Sequence, residues 1–416
     1  MKKIKVLEIV NQLGLGGTEY ALQLFAKFLD KSHFEVTVIS LIKGGERVQQ
    51  LQNLGIKVVV LYNDFSQLPN YLKETDVVHW HGGGSLESEL FQALKKYKPP
   101  LVIQTNVFGI YDSSPLYDLI DFDLYISKMT MVRRMSLDHQ LPDTFVSKRK
   151  VLPYPVDVDE INKLLPSNQE VKDFKDQHGL SGCFIVGRIG RPDNNKFDLI
   201  TLTGFAKFAR RVKNTKFLLA GATEEMISHA ESLGIRDRLI VIENTVDLKT
   251  LLIYYKAMDV FLAASQMGES FGMVIAEAMS VGTPVLTIST EEKDNAQIEL
   301  INNEESGIVV KRSKTSIAQA LKYLQRNPSI RLKLSQQSKL KIAKDYKAQN
   351  IVKSLEQLIL THFQLPTDRY VEGTLLQPYS QEMIEDYKMR CKNLFGPFKT
   401  LNLAILKFKN LMSASK

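Results

Sequence analysis

Two glutamates with seven residues between them, Glu269 and Glu277, stand in the stretch Gly268-Glu-Ser-Phe-Gly-Met-Val-Ile-Ala-Glu-Ala-Met-Ser-Val-Gly-Thr-Pro-Val285. The apolar run 259–263 before it reads as a strand, Ser270 is placed as N-cap of a helix over 271–280, and Gly282-Thr-Pro284 ends that helix. A helix with glycine in its first turn points free backbone N–H groups at a phosphate, and its dipole adds positive potential there. Glu269 lies in the loop at that end, and Glu277, about two turns along, leans its side chain back toward it. Carboxylates are poor phosphate ligands but good acceptors for sugar hydroxyls. A nucleotide sugar, with sugar, diphosphate and ribose in a row, fits this order. The plainer alternative is an ordinary helix on a parallel sheet with solvated acids.

Cations accompany the carboxylates. Phe184-Ile-Val-Gly-Arg-Ile-Gly-Arg191 runs off a strand into Pro192-Asp-Asn-Asn-Lys196, so Arg188 and Lys196 sit where open α/β sheets bind ligands. They can clamp a diphosphate and steady its charge as it leaves; singly, either reads as a solvated loop charge. Gly14-Leu-Gly-Gly-Thr-Glu19 departs from Gly-x-Gly-x-x-Gly, which argues against NAD. Gly16 and Gly17 still allow close backbone approach to a ligand, or simply a tight turn. In Asp76-Val-Val-His-Trp-His-Gly-Gly-Gly84, strand alternation turns His79 and His81 to one face and Trp80 to the other. No third ligand at metal spacing accompanies the histidines, so no metal is expected, and His81 beside the glycines is the better candidate for touching substrate. Asp121-Phe-Asp123 and Asp157-Val-Asp159 spell Asp-x-Asp, but tripeptides of this kind arise by chance.

The elements that must hold these residues follow a regular rhythm. Short apolar runs at 5–10, 35–41, 57–61, 77–80, 101–105 and 124–126, then at 183–187, 216–220, 239–241, 259–263, 284–287 and 307–310, alternate with helical periodicity. That pattern implies βαβ units and parallel sheets covered on both faces, in two doubly wound, Rossmann-like halves facing a central cleft. Two prolines in Leu152-Pro-Tyr-Pro-Val156 favour an extended connector. The expected division is 1–155, an acceptor-side domain; 156–345, a nucleotide-sugar domain; and 346–416, a crossover helix and basic amphipathic tail.

A length of 416 residues, with 44% apolar and 24% charged residues, suits such a two-domain globular chain. The two cysteines, Cys183 and Cys391, exclude a disulfide framework and fit a reducing cytoplasm. No run approaches the roughly 18 apolar residues a transmembrane helix needs, and no signal peptide is read at the start. The net charge of +8 is confined to the end: residues 331–416 hold 15 Lys/Arg and 7 Asp/Glu, and 1–330 hold 39 of each. In 388–416, lysines interleave with Leu394, Phe395, Phe398, Leu401, Ile405, Phe408 and Met412, which suits peripheral contact with an anionic membrane, or a helix packed back on the first domain. Nucleic acid is not an expected partner, because no recognition motif accompanies the charge.

Together these pieces resemble the retaining glycosyltransferases of family 4, of glycosyltransferase group 1 type and GT-B fold, over roughly residues 1–360. The landmarks are the 14–19 glycine loop, the 76–81 strand, the 152–157 connector, the Arg188…Lys196 element, Glu269-x7-Glu277 and the stretch 294–307. The resemblance implies that Arg188 and Lys196 bind the diphosphate of a UDP- or GDP-linked donor, helped by Ser270 and by amides near Phe271 and Gly272. It implies that Glu269 contacts the donor sugar near the reacting carbon, that Glu277 holds the ribose hydroxyls, and that no metal is needed. The acceptor would be a glycan or a lipid-linked one. Asn106 stands where many relatives carry histidine, Tyr154-Pro155 replaces the usual Asn-Gly, and Lys196 comes about two places late, which leaves Arg191 as a rival ligand. An epimerase or a non-catalytic GT-B partner subunit are the competing readings.

Overall fold

A computed structural model describes residues 2–86, 88–137, 147–366, 376–378 and 380–396. They form two compact units: residues up to Asp157 together with Tyr346–Ile384, and Val158–Asp345 together with the chain from Glu385. Residues 397–416, most of the basic tail, lie outside the described residues.

The first unit is built on an eight-stranded sheet. Its strands are β1 (Ile4–Gln12), β2 (Phe34–Lys43), β3 (Lys57–Val60), β4 (Val77–Gly82), β5 (Leu101–Asn106), β6 (Phe122–Tyr125) and β7 (Arg149–Val151), and an edge strand, Gln377–Pro378, comes from the far end of the chain. The first seven run parallel in the order β7-β6-β5-β4-β1-β2-β3, and the edge strand pairs antiparallel with β7. Every residue of β5 is buried, as helices on both faces require of a central parallel strand. Strand order reverses between β1 and β4, where Glu8 pairs with His79 and Ile9 with Trp80.

The second unit has a six-stranded sheet, β10 (Leu239–Ile242), β9 (Thr215–Ala220), β8 (Phe184–Ile189), β11 (Val260–Ala263), β13 (Val285–Ser289) and β15 (Ile308–Lys311), all parallel in that order. Phe205, Phe217, Leu262, Leu286, Ile317 and Leu321 are among the residues of its main core. A two-rung ladder, β12 (Gly268–Glu269) with β14 (Asp294–Asn295), joins the loops after β11 and β13. The mixed α/β architecture is thus two Rossmann-like units, as the alternation of apolar runs implies.

One local expectation is corrected. The helix after β12 spans Met273–Val281 and its N-cap is Gly272, at φ 99°, with no side-chain cap. Ser270 instead donates its hydroxyl to Asp294 Oδ2 at 2.9 Å. The cause is the β12–β14 ladder, which keeps Gly268 and Glu269 extended and delays the helix until a left-handed glycine turns the chain. The strand β7 also went unanticipated: Arg149-Lys-Val151 is too short and too charged to show alternation.

Candidate active site

Order reverses in the second sheet between β8 and β11, since β9 and β10 extend one way and β13 and β15 the other. Ligands of open α/β sheets bind at the carboxyl ends of strands flanking such a reversal. Arg188 ends up there, on β8, only 4% exposed. Its Nη2 donates to the carbonyl of Lys196, and its guanidinium lies 5.3 Å from the Phe197 ring centroid. Nε and Nη1 are buried with no hydrogen-bond partner among the described residues. Burial lowers the pKa of this guanidinium, opposed by the charges of Glu269, Tyr255 and Asp198; arginine nonetheless stays charged. A sealed cation with two unused donors has the chemistry to hold an anion.

Lys196 is held to Arg188 through its own carbonyl. Arg191, the rival, lies in the same loop, half-buried. That loop is tied down by the amide of Asn244, which donates to the Gly190 carbonyl at 3.0 Å, and by Lys196 N–H to Asp193 O at 3.0 Å. The loop after β11 carries the half-buried Glu269 on β12, and its carbonyl accepts from Ala296 N–H at 2.8 Å. From Gly272 the Met273–Val281 helix starts, and its first amides lack intrahelical acceptors by geometry. Glu277, half-buried on that helix, accepts a hydrogen bond of 2.8 Å from the buried Tyr255 hydroxyl. Other buried polar atoms without partners among the described residues of this unit, such as Ser265 Oγ, Ser289 Oγ, both amide atoms of Asn295 and Gln297 Oε1, lie past the ends of β11 and β13 or close to them.

In the first unit the histidines do share one face. Glu8 accepts from His81 Nε2 at 2.6 Å and from His79 Nδ1 at 3.1 Å, while His79 Nε2 lies 2.7 Å from the Thr105 hydroxyl. The expectation that no third ligand accompanies the histidines is corrected: Glu8, His79 and His81 each offer one ligand atom, all within 4.8 Å of one another. Parallel pairing of β1 with β4 supplies Glu8 across the sheet. Two histidines and a carboxylate are a zinc-type donor set; as they stand, they are joined by hydrogen bonds. Burial raises the Glu8 pKa, but the His79 charge and hydrogen bonds from both rings outweigh it and bring it down to about 2. Burial and the His79 charge push His81 down to about 4, against its bond to Glu8.

Asn106 is fully buried, and its Nδ2 donates to the Ile110 carbonyl at 3.0 Å, closing the loop after β5. A Cβ on Gly16 would stand 1.8 Å from Glu19 Oε2, so the glycine there makes room for the chain's own carboxylate at the start of the 17–28 helix. Gly17 is the first residue of that helix. Asp121, Asp123 and Asp157 are all bonded within this unit, to Lys98, Gln104 and Lys27 respectively.

Residues 172–341 match the family Glycosyl transferases group 1. A capsular polysaccharide biosynthesis glycosyltransferase, CapM of Staphylococcus aureus, is 24% identical over 187 residues, 44% of this chain and 47% of that protein; the match thus spans about half of the relative. Among solved structures, a glycosyltransferase from Rickettsia africae aligns with TM-score 0.71 and 16% identity over 88% of this chain and 100% of its own. Anabaena HepE, solved in complex with UDP-glucose, aligns with TM-score 0.70 and 16% identity over 86% of this chain and 100% of its own. The fold is therefore GT-B, and the group 1 match covers most of the second unit.

Within that matched segment the Arg188 guanidinium donates to the backbone carbonyl of Lys196, and Glu269 is close enough to Arg188 to raise its pKa. Gly272 caps the helix that carries Glu277, and Ser270 and Phe271 lead into it. Gly16, Gly17, His81 and Asn106 belong to the other unit. Sequence reasoning missed Tyr255 and Glu8, whose partners lie 22 and more than 70 positions away. It also missed Asn295, which fell within the 294–307 stretch but carried no signal of its own.

Proposed function

We propose that the protein transfers a sugar from a UDP- or GDP-linked donor to a glycan or lipid-linked acceptor, with retention of configuration and without a metal, in the manner of family 4 enzymes of polysaccharide or glycoconjugate assembly. The observation that carries this reading is the buried Arg188 guanidinium with two unused donors beside Lys196. A diphosphate would satisfy both donors, and these cations, with the start of the Met273–Val281 helix, would hold its charge as it leaves. Glu277, oriented by Tyr255, would accept from the ribose hydroxyls. Glu269 would accept from the donor sugar near its reacting carbon. An oxygen of the departing phosphate would take the acceptor hydroxyl's proton on the face it leaves.

The first unit would present the acceptor through its glycine loops. His81 and Asn106 are buried and each is bonded inside that unit through one atom, which would shape those loops, while His81 Nδ1 and Asn106 Oδ1 have no partner among the described residues. The buried amide at 106 also favours a second reading, a GT-B subunit that binds a nucleotide sugar without transferring it, since an amide cannot shuttle a proton. The test is calorimetric titration of the whole chain with UDP, GDP, ADP and their sugars, with and without EDTA, and Arg188→Ala as control. Binding of one nucleotide class that survives EDTA and is lost in the variant is expected. No binding of any nucleotide would overturn the reading, and binding without sugar turnover on any acceptor would select the second.

A further inference from the structure

Asn295 is 1% exposed, and neither its Nδ2 nor its Oδ1 meets a hydrogen-bond partner among the described residues. Leaving such a group unsatisfied forfeits the hydrogen bonds it would make to water in the unfolded chain. Other amide side chains of the same unit are used structurally: Gln297 donates to Ile288 O at 2.7 Å, Asn244 to Gly190 O at 3.0 Å, and Asn303 accepts from Val309 N–H at 2.8 Å. Asn295 has no such role and cannot easily swing to find one. The backbone around it is fixed by the pairing of β14 with β12, by Ala296 N–H to Glu269 O at 2.8 Å, by Ser270 to Asp294, and by Lys293 to the Gln266 carbonyl.

Position gives the amide its meaning. Asn295 is the ladder partner of Glu269, and paired residues of a parallel ladder project to the same face. Ser265, two residues past Ala263 on β11, and Ser289, two past Thr287 on β13, carry buried hydroxyls without partners among the described residues, and Ala263 and Thr287 are themselves paired. The unsatisfied atoms thus gather around one edge of the sheet: a cation at β8, then hydroxyls and an amide at β11, β13 and β14.

Resting on the nucleotide-sugar reading, we infer that Asn295 is a specificity residue for the donor sugar, reading two neighbouring hydroxyls at once. One hydroxyl donates to Oδ1 while the next accepts from Nδ2, a pairing that an amide offers from two atoms on one carbon. A site built to hydrogen-bond a hydroxyl discriminates strongly against a sugar that presents it differently.

The experiment measures dissociation constants of the whole chain for UDP, UDP-glucose and its C4 epimer UDP-galactose, with GDP and GDP-mannose as the parallel set. In Asn295→Ala the nucleotide sugar the protein prefers is expected to bind about tenfold more weakly, free nucleotide to bind unchanged, and the preference between epimers to shrink. Asn295→Asp, which keeps the shape and one acceptor, repeats the comparison should the alanine variant fail to fold. Equal weakening of nucleotide and nucleotide sugar, or no change in either, overturns the inference and leaves a buried water as the amide's partner. If the unaltered chain binds no nucleotide at all, the parent reading falls and the inference with it.

Discussion

A carboxylate between two imidazoles, sealed in the first unit, makes the stability of that unit depend on acid. His81, with its pKa near 4 in the folded chain against 6.5 when free, resists protonation that the unfolded chain accepts. The unfolded state therefore binds more protons as pH falls from about 6.5 towards 4, and stability falls with it. Glu8, near 2 against 4.5, continues the loss in the same direction below pH 4.5. Thermal melting followed from pH 7.5 to 4.5 should show a falling midpoint, and a shallower fall in His81→Gln; identical slopes would contradict this account. In the second unit the two glutamates should separate by effect. Glu277→Ala should weaken nucleotide binding by about tenfold, as loss of a charged hydrogen bond predicts. Glu269→Gln should leave nucleotide affinity alone and lower transfer. Nucleotide titration and a radiolabelled transfer assay read the two separately, and equal nucleotide affinity in wild type and Glu277→Ala would remove Glu277 from the donor site.

The Met273–Val281 helix is framed by two left-handed glycines, Gly272 at φ 99° and Gly282 at φ 84°. An alanine at either position costs about 1–2 kcal/mol of backbone strain, and at Gly282 its Cβ would also sit 2.7 Å from Ser335 Oγ. Gly282→Ala should lower the melting temperature with nucleotide affinity intact, because it lies at the far end of the helix from the proposed phosphate. Gly272→Ala should lower both. Equal nucleotide loss in the two variants would show that the helix start has no special part. This element also marks how far the sequence could be read. Its apolar run and its stop at Gly282 were legible locally, as were the main strands, whose apolar runs are continuous because parallel strands are buried on both faces. Its start was misplaced at Ser270, because the ladder that holds 268–269 extended is formed with residues 294–295, about 25 positions on. Glu269 and Glu277 could be picked out as candidates by their spacing. Tyr255, Glu8 and Asn295 could not, since each acquires its place only from pairing across the fold.

The division of the chain into two units, with the first completed by residues 346–384, sets what a distant mutation can reach. The helix Ala348–His362 belongs to the first unit and buries Ile351, Val352, Leu355, Leu358 and Ile359. Its anchors are backbone and side-chain bonds within that unit: Ala348 N–H to Val156 O at 2.9 Å, and Asp30 N–H to Glu356 Oε1 at 2.6 Å. Leu355 is fully buried, so Leu355→Ala should cost about 2–5 kcal/mol. Domains with separate cores open separately. Hydrogen exchange should therefore quicken across residues 2–137 in the variant, although the substituted residue is more than 200 positions away in sequence from most of them. Residues 158–345 should exchange as before and bind nucleotide as tightly. Faster exchange spread evenly over both units would show one cooperative body, and the proposed donor site could then be tuned from the first unit's core.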